Sequence, residues 1–571
     1  MAGPARAASL VLLGVLGAGV FLAGLELMIT AVALPAIVAD LASWTRLREA
    51  SWVITGYLLV YVVMMPMAGR LTDVAGARRL FLGALGLFTL GSALAGAAPS
   101  LEALIAARLV QAAGGGALVP VATAAASHLF PGAAQPRALG VVGALTFLGM
   151  AAGPALGALI LESVHPDAAL ALLGVDPATP LAQAVDPAWR WVFYVNVPIG
   201  IVALVIAWAA SADWETPRRP GRVDAVGAAL FSTALGATLA ALTLLGSRPG
   251  ERSSLIGGLN GGSSASGAPA LAAVDPAVVV IGLGVLALLA GIGALRHGLR
   301  VTDPFLDPRL FRSPSFAAAA LVSLLTGYGL ATALVGAAVF VDRVLYGGPD
   351  EQRLVLGTLA TATAAGALAS GFVVRVVPLR VVSLVGLAAC IGGLALMATW
   401  TPVTTLFAAA LPLALFGAGF GLTVTPRSTA AVAAVAPSAY GAASSVVTVA
   451  RMAGMAVGLA VLTAYGSTTI DRLYDQVWAS PTAYRQLIPE ALRGRSIRDG
   501  QVVDALEAWA SGEAARIMVG IFLAAAVVMA TAVPPSLLLD RRRRILGPAG
   551  AVDAPDDAVD PAGMETHGRQ P

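Results

Sequence analysis

Fourteen apolar runs, each near the length that crosses a bilayer, set the terms on which this chain can fold. They cover residues 8–35, 51–69, 80–98, 101–123, 138–161, 192–210, 223–246, 273–295, 315–341, 354–374, 381–400, 405–425, 439–465 and 514–537. About 20 apolar residues span the hydrocarbon core as a helix, and backbone placed there must satisfy its own hydrogen bonds. The sequence therefore specifies an all-α polytopic membrane protein with 14 transmembrane helices. The first run is too long for a signal peptide, and a second follows after a short loop, so it is expected to remain as a span. An even number of spans puts both termini on one side.

Composition excludes several function classes. Only 12% of the 571 residues are charged and 58% are hydrophobic, with a mean hydropathy of +0.84; globular domains carry about 25% charged residues. The net charge of +3 is small and its basic residues, all Arg, are spread along the chain, giving nucleic-acid binding no support. The single Cys390 rules out an intramolecular disulfide framework. His128, His165, His297 and His567 are scattered without metal-ligand spacing, so no metal is expected. A membrane enzyme would need His, Asp or Glu clustered near one surface, and ATP-driven transport would need a P-loop; the sequence has neither. We expect no enzyme activity and no cofactor.

Arginine placement sets the orientation. With the N-terminus in the cytoplasm, the short inner loops hold Arg70, Arg78, Arg79, Arg137, Arg218, Arg219, Arg222, Arg296, Arg300, Arg309, Arg312, Arg375, Arg380 and the run 541–544. The short outer loops hold fewer, from Arg46 and Arg48 to Arg343 and Arg353. Both ends are therefore read as cytoplasmic. Segment 162–190 is rich in Asp and Pro, and 247–272 is Gly/Ser-rich like a flexible linker. In 466–513, Ile470, Leu473, Tyr474 and Val477, then Val502, Leu506 and Trp509, recur at helical spacing and predict two amphipathic helices outside the membrane. The tail from about 546 has a disordered composition.

The fifth run carries the densest pattern: Gly140, Gly149, Gly153, Pro154, Gly157 and Ala158, spaced G-x8-G-x3-G-P-x2-G-A. Small residues let membrane helices touch backbone to backbone, and an internal proline is tolerated where neighbours satisfy the freed carbonyl. The run reads as a helix both closely packed and bendable. Its spacing resembles the fifth-helix antiporter signature of the major facilitator superfamily, with Ala158 in place of the final Gly. Gly69-Arg70-Leu71-Thr72-Asp73-Val74-Ala75-Gly76-Ala77-Arg78-Arg79 is similar to that superfamily's cytoplasmic loop between spans two and three, with Val74 where a basic residue is usual. Arg108, Gln111 and Gly114 resemble its fourth-helix element, with Ala112 replacing a Gly. Leu25-Glu26 through Pro35, and Trp189-Arg190-Trp191 through Asn196-Val197-Pro198, resemble signatures of the fourteen-span drug:proton antiporter branch. Residues from Asp303 to Arg312 and from Ala436 to Gly458 continue the likeness, the latter being most similar to a mycobacterial lipid-exporting, efflux-associated group.

The resemblance implies a major facilitator fold. Residues 1–210 would form an N-terminal six-helix bundle and 211–314 a linker with two extra transmembrane helices. Residues 315–540 would form the C-terminal bundle, with the outer excursion 466–513, and 541–571 a disordered cytoplasmic tail. It implies a proton-coupled secondary exporter in a bacterial cell membrane, expected to act as a monomer and powered by the proton gradient.

Ionisable groups at membrane depth are functional candidates by default, and three stand out: Glu26, Arg108 and Arg451. At about 1.5 Å of rise per residue, Glu26 and Arg108 fall at similar depths in the outer half. In the superfamily the first and fourth helices line the cavity of the N-terminal half. Glu26 is therefore read as the proton-responsive carboxylate and Arg108 as its counter-charge, against the alternative of a static ion pair. Arg451 would face the fifth helix, where a carboxylate is expected near position 147; Phe147 stands there instead. Arg451 must then pair elsewhere, bind an anionic group of the cargo, or reach water. Gly69, Asp73, Gly76, Arg78 and Arg79 are read as a cytoplasmic gating loop, against simple positive-inside anchoring. The counterpart loop, Gly371 to Arg380, has Arg375 in place of the acid. Two cargo classes stay open: drug-like hydrophobic or amphipathic compounds, and lipids of triacylglyceride type handed outward, with a lipoprotein partner as an option. A membrane enzyme or scaffold is the reading from a different class.

Overall fold

The structure, a computed structural model, describes residues 3–539 apart from 42–49, 51, 173, 175, 177–178, 211–223, 247–275, 303, 479–482 and 495–498. Among the described residues, 14 helices are long and apolar enough to cross a membrane. We number them α1 Gly3–Leu41, α2 Trp52–Ala75, α3 Ala77–Gly96, α4 Leu101–Leu129, α5 Gln135–Ser163 and α6 Asn196–Ala209. Then come α7 Ala225–Gly246, α8 Pro276–Arg300, α9 Pro314–Arg343, α10 Pro349–Val373, α11 Leu379–Met397, α12 Leu406–Ala433, α13 Tyr440–Trp478 and α14 Gly500–Ala530. Helix starts follow local chemistry: Ser100 Oγ accepts from Ala103 N, and Thr405 Oγ1 from Ala408 N, each satisfying a donor that the first turn would leave unpaired.

Packing repeats in the two halves. The first and fifth helices of each half pack together (α1 with α5, α9 with α13), as do the second and fourth (α2 with α4, α10 with α12) and the third and fourth. Across the middle, the fifth helix of each half lies on the second helix of the other: α5 on α10, α13 on α2. This is the arrangement of an internal repeat about a pseudo-two-fold axis. Helices α7 and α8 pair with each other, and α7 leans on α2 and α13. The outer partner α8 leaves most of its apolar surface, such as Ile281, Leu288 and Leu289, uncovered.

Glycine makes these approaches possible. A methyl group at Gly149 would collide with the Phe21 carbonyl of α1, and at Gly454 with the Leu324 carbonyl of α9. Lipid tails are as apolar as leucine, so such contacts and their dispersion energy, rather than hydrophobic burial, hold the helices together.

The structure departs from the sequence reading in two places. Helix α12 continues through Pro426 to Ala433, eight residues past the expected end. The two expected amphipathic helices of 466–513 are not separate: the first is the continuation of α13 to Trp478, and the second is the opening of α14. Each simply prolongs a membrane helix, with Ile488 and Val502 forming a small apolar cluster beside them. Segment 162–190 contains short helices at Pro166–Leu172 and Pro180–Val185. The Gly/Ser-rich linker, Asp303 and the tail fall outside the described residues.

Candidate functional site

The polar centre of the N-terminal half is assembled from four helices and the entry to α6. Glu26 on α1 is fully buried, and Arg108 on α4 is 1% exposed. They form an ion pair through Arg108 Nη1 and Glu26 Oε1. Thr30 Oγ1, one turn along α1, donates to the same carboxylate oxygen at 2.9 Å, and Asn196 Nδ2 donates to Oε2 at 2.7 Å. Arg108 also donates from Nε to the Val53 carbonyl (3.2 Å) and from Nη1 to Gln111 Oε1 (2.7 Å). Gln111 Nε2 passes the network to Ser92 Oγ on α3 at 2.8 Å. The guanidinium carbon lies 3.9 Å from the centre of the Tyr57 ring, within cation–π range.

This arrangement has chemical consequences. A carboxylate without access to water is favoured as an ion only while its cation and hydrogen-bond donors stay in place. Moving α4 or α6 relative to α1 would take Arg108 or Asn196 away from the carboxylate. The static alternative predicts the same contacts but no movement. Gln111, which the sequence places in the fourth-helix motif, acts by orienting Arg108. Thr30 and Asn196 received no role from the sequence, although Asn196 stands in the sixth-helix signature; only the fold shows that it faces Glu26.

The halves meet closely at their cytoplasmic ends. Asp73, at the end of α2, accepts hydrogen bonds from the backbone nitrogens of Gly441 and Ala442 at 2.8 and 2.9 Å. It thus caps α13 of the opposite half, where a negative charge is favoured by the helix dipole. Beside it, Gly69 approaches the Gly441 carbonyl so closely that no side chain fits. Gly76, with φ of +90°, occupies a conformation that favours glycine and turns the chain into α3. Arg79 is exposed and Arg78 half-buried; neither makes a hydrogen bond or ion pair among the described residues. Asp73 and Gly69 therefore make the cross-half contact without them. At the second seam Gly140 packs on Ala367 and Gly371, and Arg137 lies 5.3 Å over the Phe372 ring. Arg375 is exposed there, so no acid caps α5 as Asp73 caps α13.

The fifth-helix signature divides by position. Gly149, Gly153 and Gly157 lie against α1 within their own half, whereas Gly140 crosses to α10. Among these signature glycines the cross-half contact thus falls to Gly140, near the cytoplasmic end. Pro154 sits inside the helix, half-buried on the α1-facing stretch. Gly114, in α4, packs on the α3 backbone at Ala84 and Phe88.

Arg451, 9% exposed on α13, stacks over Phe147, with 5.4 Å from its guanidinium carbon to the ring centre. Its Nε is buried without a hydrogen-bond partner among the described residues. A second buried arginine escaped the sequence reading. Arg427 on α12 is 2% exposed, donates to Thr326 Oγ1 on α9, and lies 4.9 Å over the Phe420 ring. The run read as ending at residue 425 left Arg427 just outside the expected span. The apolar residues after it, Ala430 to Val435, were the available sign that the span continues.

Two cavities of about 530 Å³ each lie away from these charges. One is an apolar groove between α1 and α6 on the membrane-facing side; the other sits between α7 and α8, near Asp224 and Phe305. The buried charges, rather than these cavities, mark the candidate site, because apolar grooves between membrane helices are natural lipid contacts.

Two six-helix halves related by an internal repeat, with charges buried where the halves face each other, define a multi-pass membrane transporter. The chain belongs to the Major Facilitator Superfamily, whose family match covers residues 16–459. It is 31% identical over 465 residues to a triacylglyceride transporter of Mycolicibacterium hassiacum, covering 79% of this chain and 78% of the relative. It is 28% identical over 449 residues to a protein of Mycobacterium tuberculosis named multidrug resistance protein B homolog, covering 77% and 73%. In fold it resembles a bacterial homologue of the human lysosomal transporter Spinster in an inward-facing form, at 16% identity and a TM-score of 0.54, covering 94% of this chain and 98% of the other. The proton:xylose symporter XylE is similar at 12% identity, with a TM-score of 0.52 and coverage of 93% and 96%. It is a multi-pass cell-membrane transporter.

Proposed function

We propose that this transporter is a proton-coupled exporter of hydrophobic or amphipathic compounds that works by alternating access. The observation that carries the reading is the buried Glu26–Arg108 pair, to whose carboxylate Asn196 from α6 also donates. With the cytoplasmic seam shut by Asp73 on α13, the Glu26 carboxylate accepts from three donors, Arg108, Thr30 and Asn196. Shifts of α4 or α6 against α1 as the N-terminal half changes its access take Arg108 or Asn196 from the carboxylate, and the proton is exchanged at that stage of the cycle. Proton entry and cargo exit are then alternate halves of one cycle. Relatives named for multidrug resistance and triacylglyceride transport both support an exporter of apolar cargo.

A lipid cargo is favoured by one feature beyond the relatives' names. Helix α13, at 39 residues, reaches roughly 58 Å at 1.5 Å per residue, well beyond a hydrocarbon core of about 30 Å. Together with the opening of α14 it raises a helical post on the outer side, suited to passing a poorly soluble molecule onward, to a lipoprotein acceptor where one exists.

The test is reconstitution of the full chain into liposomes with an imposed pH gradient, following a cationic dye and a pyrene-labelled triacylglyceride in parallel. Gradient-dependent movement that is lost in Glu26→Gln, with the variant still folded at the assay temperature, supports coupling through Glu26. Full retention in that variant overturns it.

A further inference from the structure

The two halves balance their buried charge differently. In the N-terminal half Arg108 has Glu26 as its counter-ion. In the C-terminal half Arg427 and Arg451 are both buried, yet no described Asp or Glu of that half is buried. Among the described residues Arg427 donates to one acceptor, the neutral Thr326 hydroxyl, and Arg451 to none. The two guanidinium groups act on each other electrostatically, so the half carries two unbalanced positive charges. A charge buried without a counter-charge is costly, and one held in place by aromatic rings and a threonine is poised to receive its partner from outside the protein.

The surroundings describe that partner. Arg427 lies on Phe420, Arg451 lies on Phe147, and the two rings meet edge to face at 5.3 Å. Phe147 belongs to α5, so this cluster spans the seam between the halves, and Val424 also reaches α5 beside Gly143. By helical rise Arg451 stands about 16 Å, and Arg427 about 9 Å, from the cytoplasmic ends of their helices. The position is where repeat-built transporters hold cargo, at the interface of the halves inside the membrane. Planar guanidinium groups match carboxylate and phosphate oxygens, and the rings supply an apolar wall. We propose that Arg427 and Arg451 form the cargo-recognition site for an amphipathic anion, a carboxylate or phosphate carried on an apolar body. The inference rests on the exporter reading for its physiological meaning, though binding itself needs no gradient.

Purified full-length protein in uncharged detergent is titrated with two matched pairs of probes, and binding is read from pyrene fluorescence. One pair is pyrene-dodecanoate against pyrene-dodecanol; the other is pyrene-labelled phosphatidate against pyrene-labelled diacylglycerol. The expected result is an anion preference of roughly tenfold or more in at least one pair. It should fall to within about twofold in Arg427→Gln/Arg451→Gln and survive in Arg427→Lys/Arg451→Lys. Preference confined to phosphatidate identifies a membrane-lipid head group; preference confined to dodecanoate identifies a smaller amphipath. Equal binding of anion and neutral probe, or an undiminished preference in the Gln variant, overturns the proposal. So does displacement of every anionic probe by inorganic phosphate alone, which would make the site one for a free anion. Should the double Gln variant fail to fold, Arg427→Gln alone carries the same expectation of a reduced preference. Preserved preference without gradient-driven flux of the dye, the triacylglyceride or the preferred anionic probe would sink the exporter reading and leave the anion site standing. Flux without preference would do the reverse.

Discussion

The guanidinium carbon of Arg451 lies 5.4 Å from the centre of the Phe147 ring, across the seam between the two halves. An aromatic face attracts a cation but cannot neutralise it. The contact fixes where Arg451 points while leaving its charge available. Substituting Phe147→Glu would supply a carboxylate at that place. The anion preference is then expected to fall by roughly tenfold, because an internal carboxylate competes for Arg451. Phe147→Leu, which adds no charge, should keep most of it. The pyrene probe pairs measure both.

The Glu26–Arg108 pair makes a prediction about stability that is separate from transport. Removing one member of a buried pair strands the other, at about 3–5 kcal/mol, whereas removing both is far less damaging. Arg108→Gln should therefore unfold at markedly lower temperature, and Glu26→Gln/Arg108→Gln should regain most of that loss without regaining gradient-driven flux. Thermal unfolding and liposome flux, run on all three variants, give the coupling directly.

At the cytoplasmic seam, Asp73→Ala removes both acceptors from the start of α13. Loss of such a cap costs about 0.5–2 kcal/mol, enough to shift the balance between open and closed seams severalfold. Ser444, which is buried here and donates to the Pro120 carbonyl on α4, reports the opening. In a Cys390→Ala background, Ser444→Cys should react faster with a water-soluble maleimide when Asp73 is replaced, and no change in rate would refute the latch.

Not every glycine of this chain bears on packing, and two of them give opposite expectations. A methyl group at Gly149 meets the Phe21 carbonyl, while one at Gly83 meets nothing within 4 Å. Gly149→Ala should destabilise by about 1–3 kcal/mol through forced separation of α1 and α5. Gly83→Ala should leave unfolding unchanged or slightly improved, since alanine favours the helix.

The extra helix pair is pinned at its cytoplasmic end by Asp224, which accepts from His297 Nε2 at 2.9 Å and from the backbone nitrogens of Gly227 and Phe305 at 2.8 and 3.1 Å. Burial raises the Asp224 carboxyl, but these hydrogen bonds outweigh it and hold the group below the ordinary aspartate value. The sign follows: a depressed carboxyl contributes stability that is present above its unfolded value of about 3.9 and disappears as pH falls through the folded value. Hydrogen exchange of the α7 and α8 ends should therefore be slow near neutrality and accelerate only in acid below that range. Asp224→Asn should exchange faster near neutrality, with the acid-induced change largely removed.

Much of the fold was legible because a bilayer leaves the backbone few options. Spans announce themselves by length, and arginine asymmetry orients them. The Glu26–Arg108 meeting was also within reach, since two charges at matching depth on cavity-lining helices have few other ways to be buried. Arg427 was not legible, because Pro426 beside it ends a soluble helix but not one whose neighbours satisfy the freed backbone. The excursion 466–513 was read as independent helices because amphipathic spacing says nothing about whether a helix is separate or prolonged.

What the sequence alone determined is therefore the number of spans, their orientation, and three of the buried charges, Glu26, Arg108 and Arg451. Those follow from solvation energies that depend on composition and length. Only the tertiary structure decided the pairings: Asp73 on the end of α13, Gly140 on α10 but Gly149 on α1, and two buried arginines in one half with no buried acid among its described residues. Each pairing joins residues far apart in the chain through backbone approaches of a few ångströms, and local pattern carries no record of such distances.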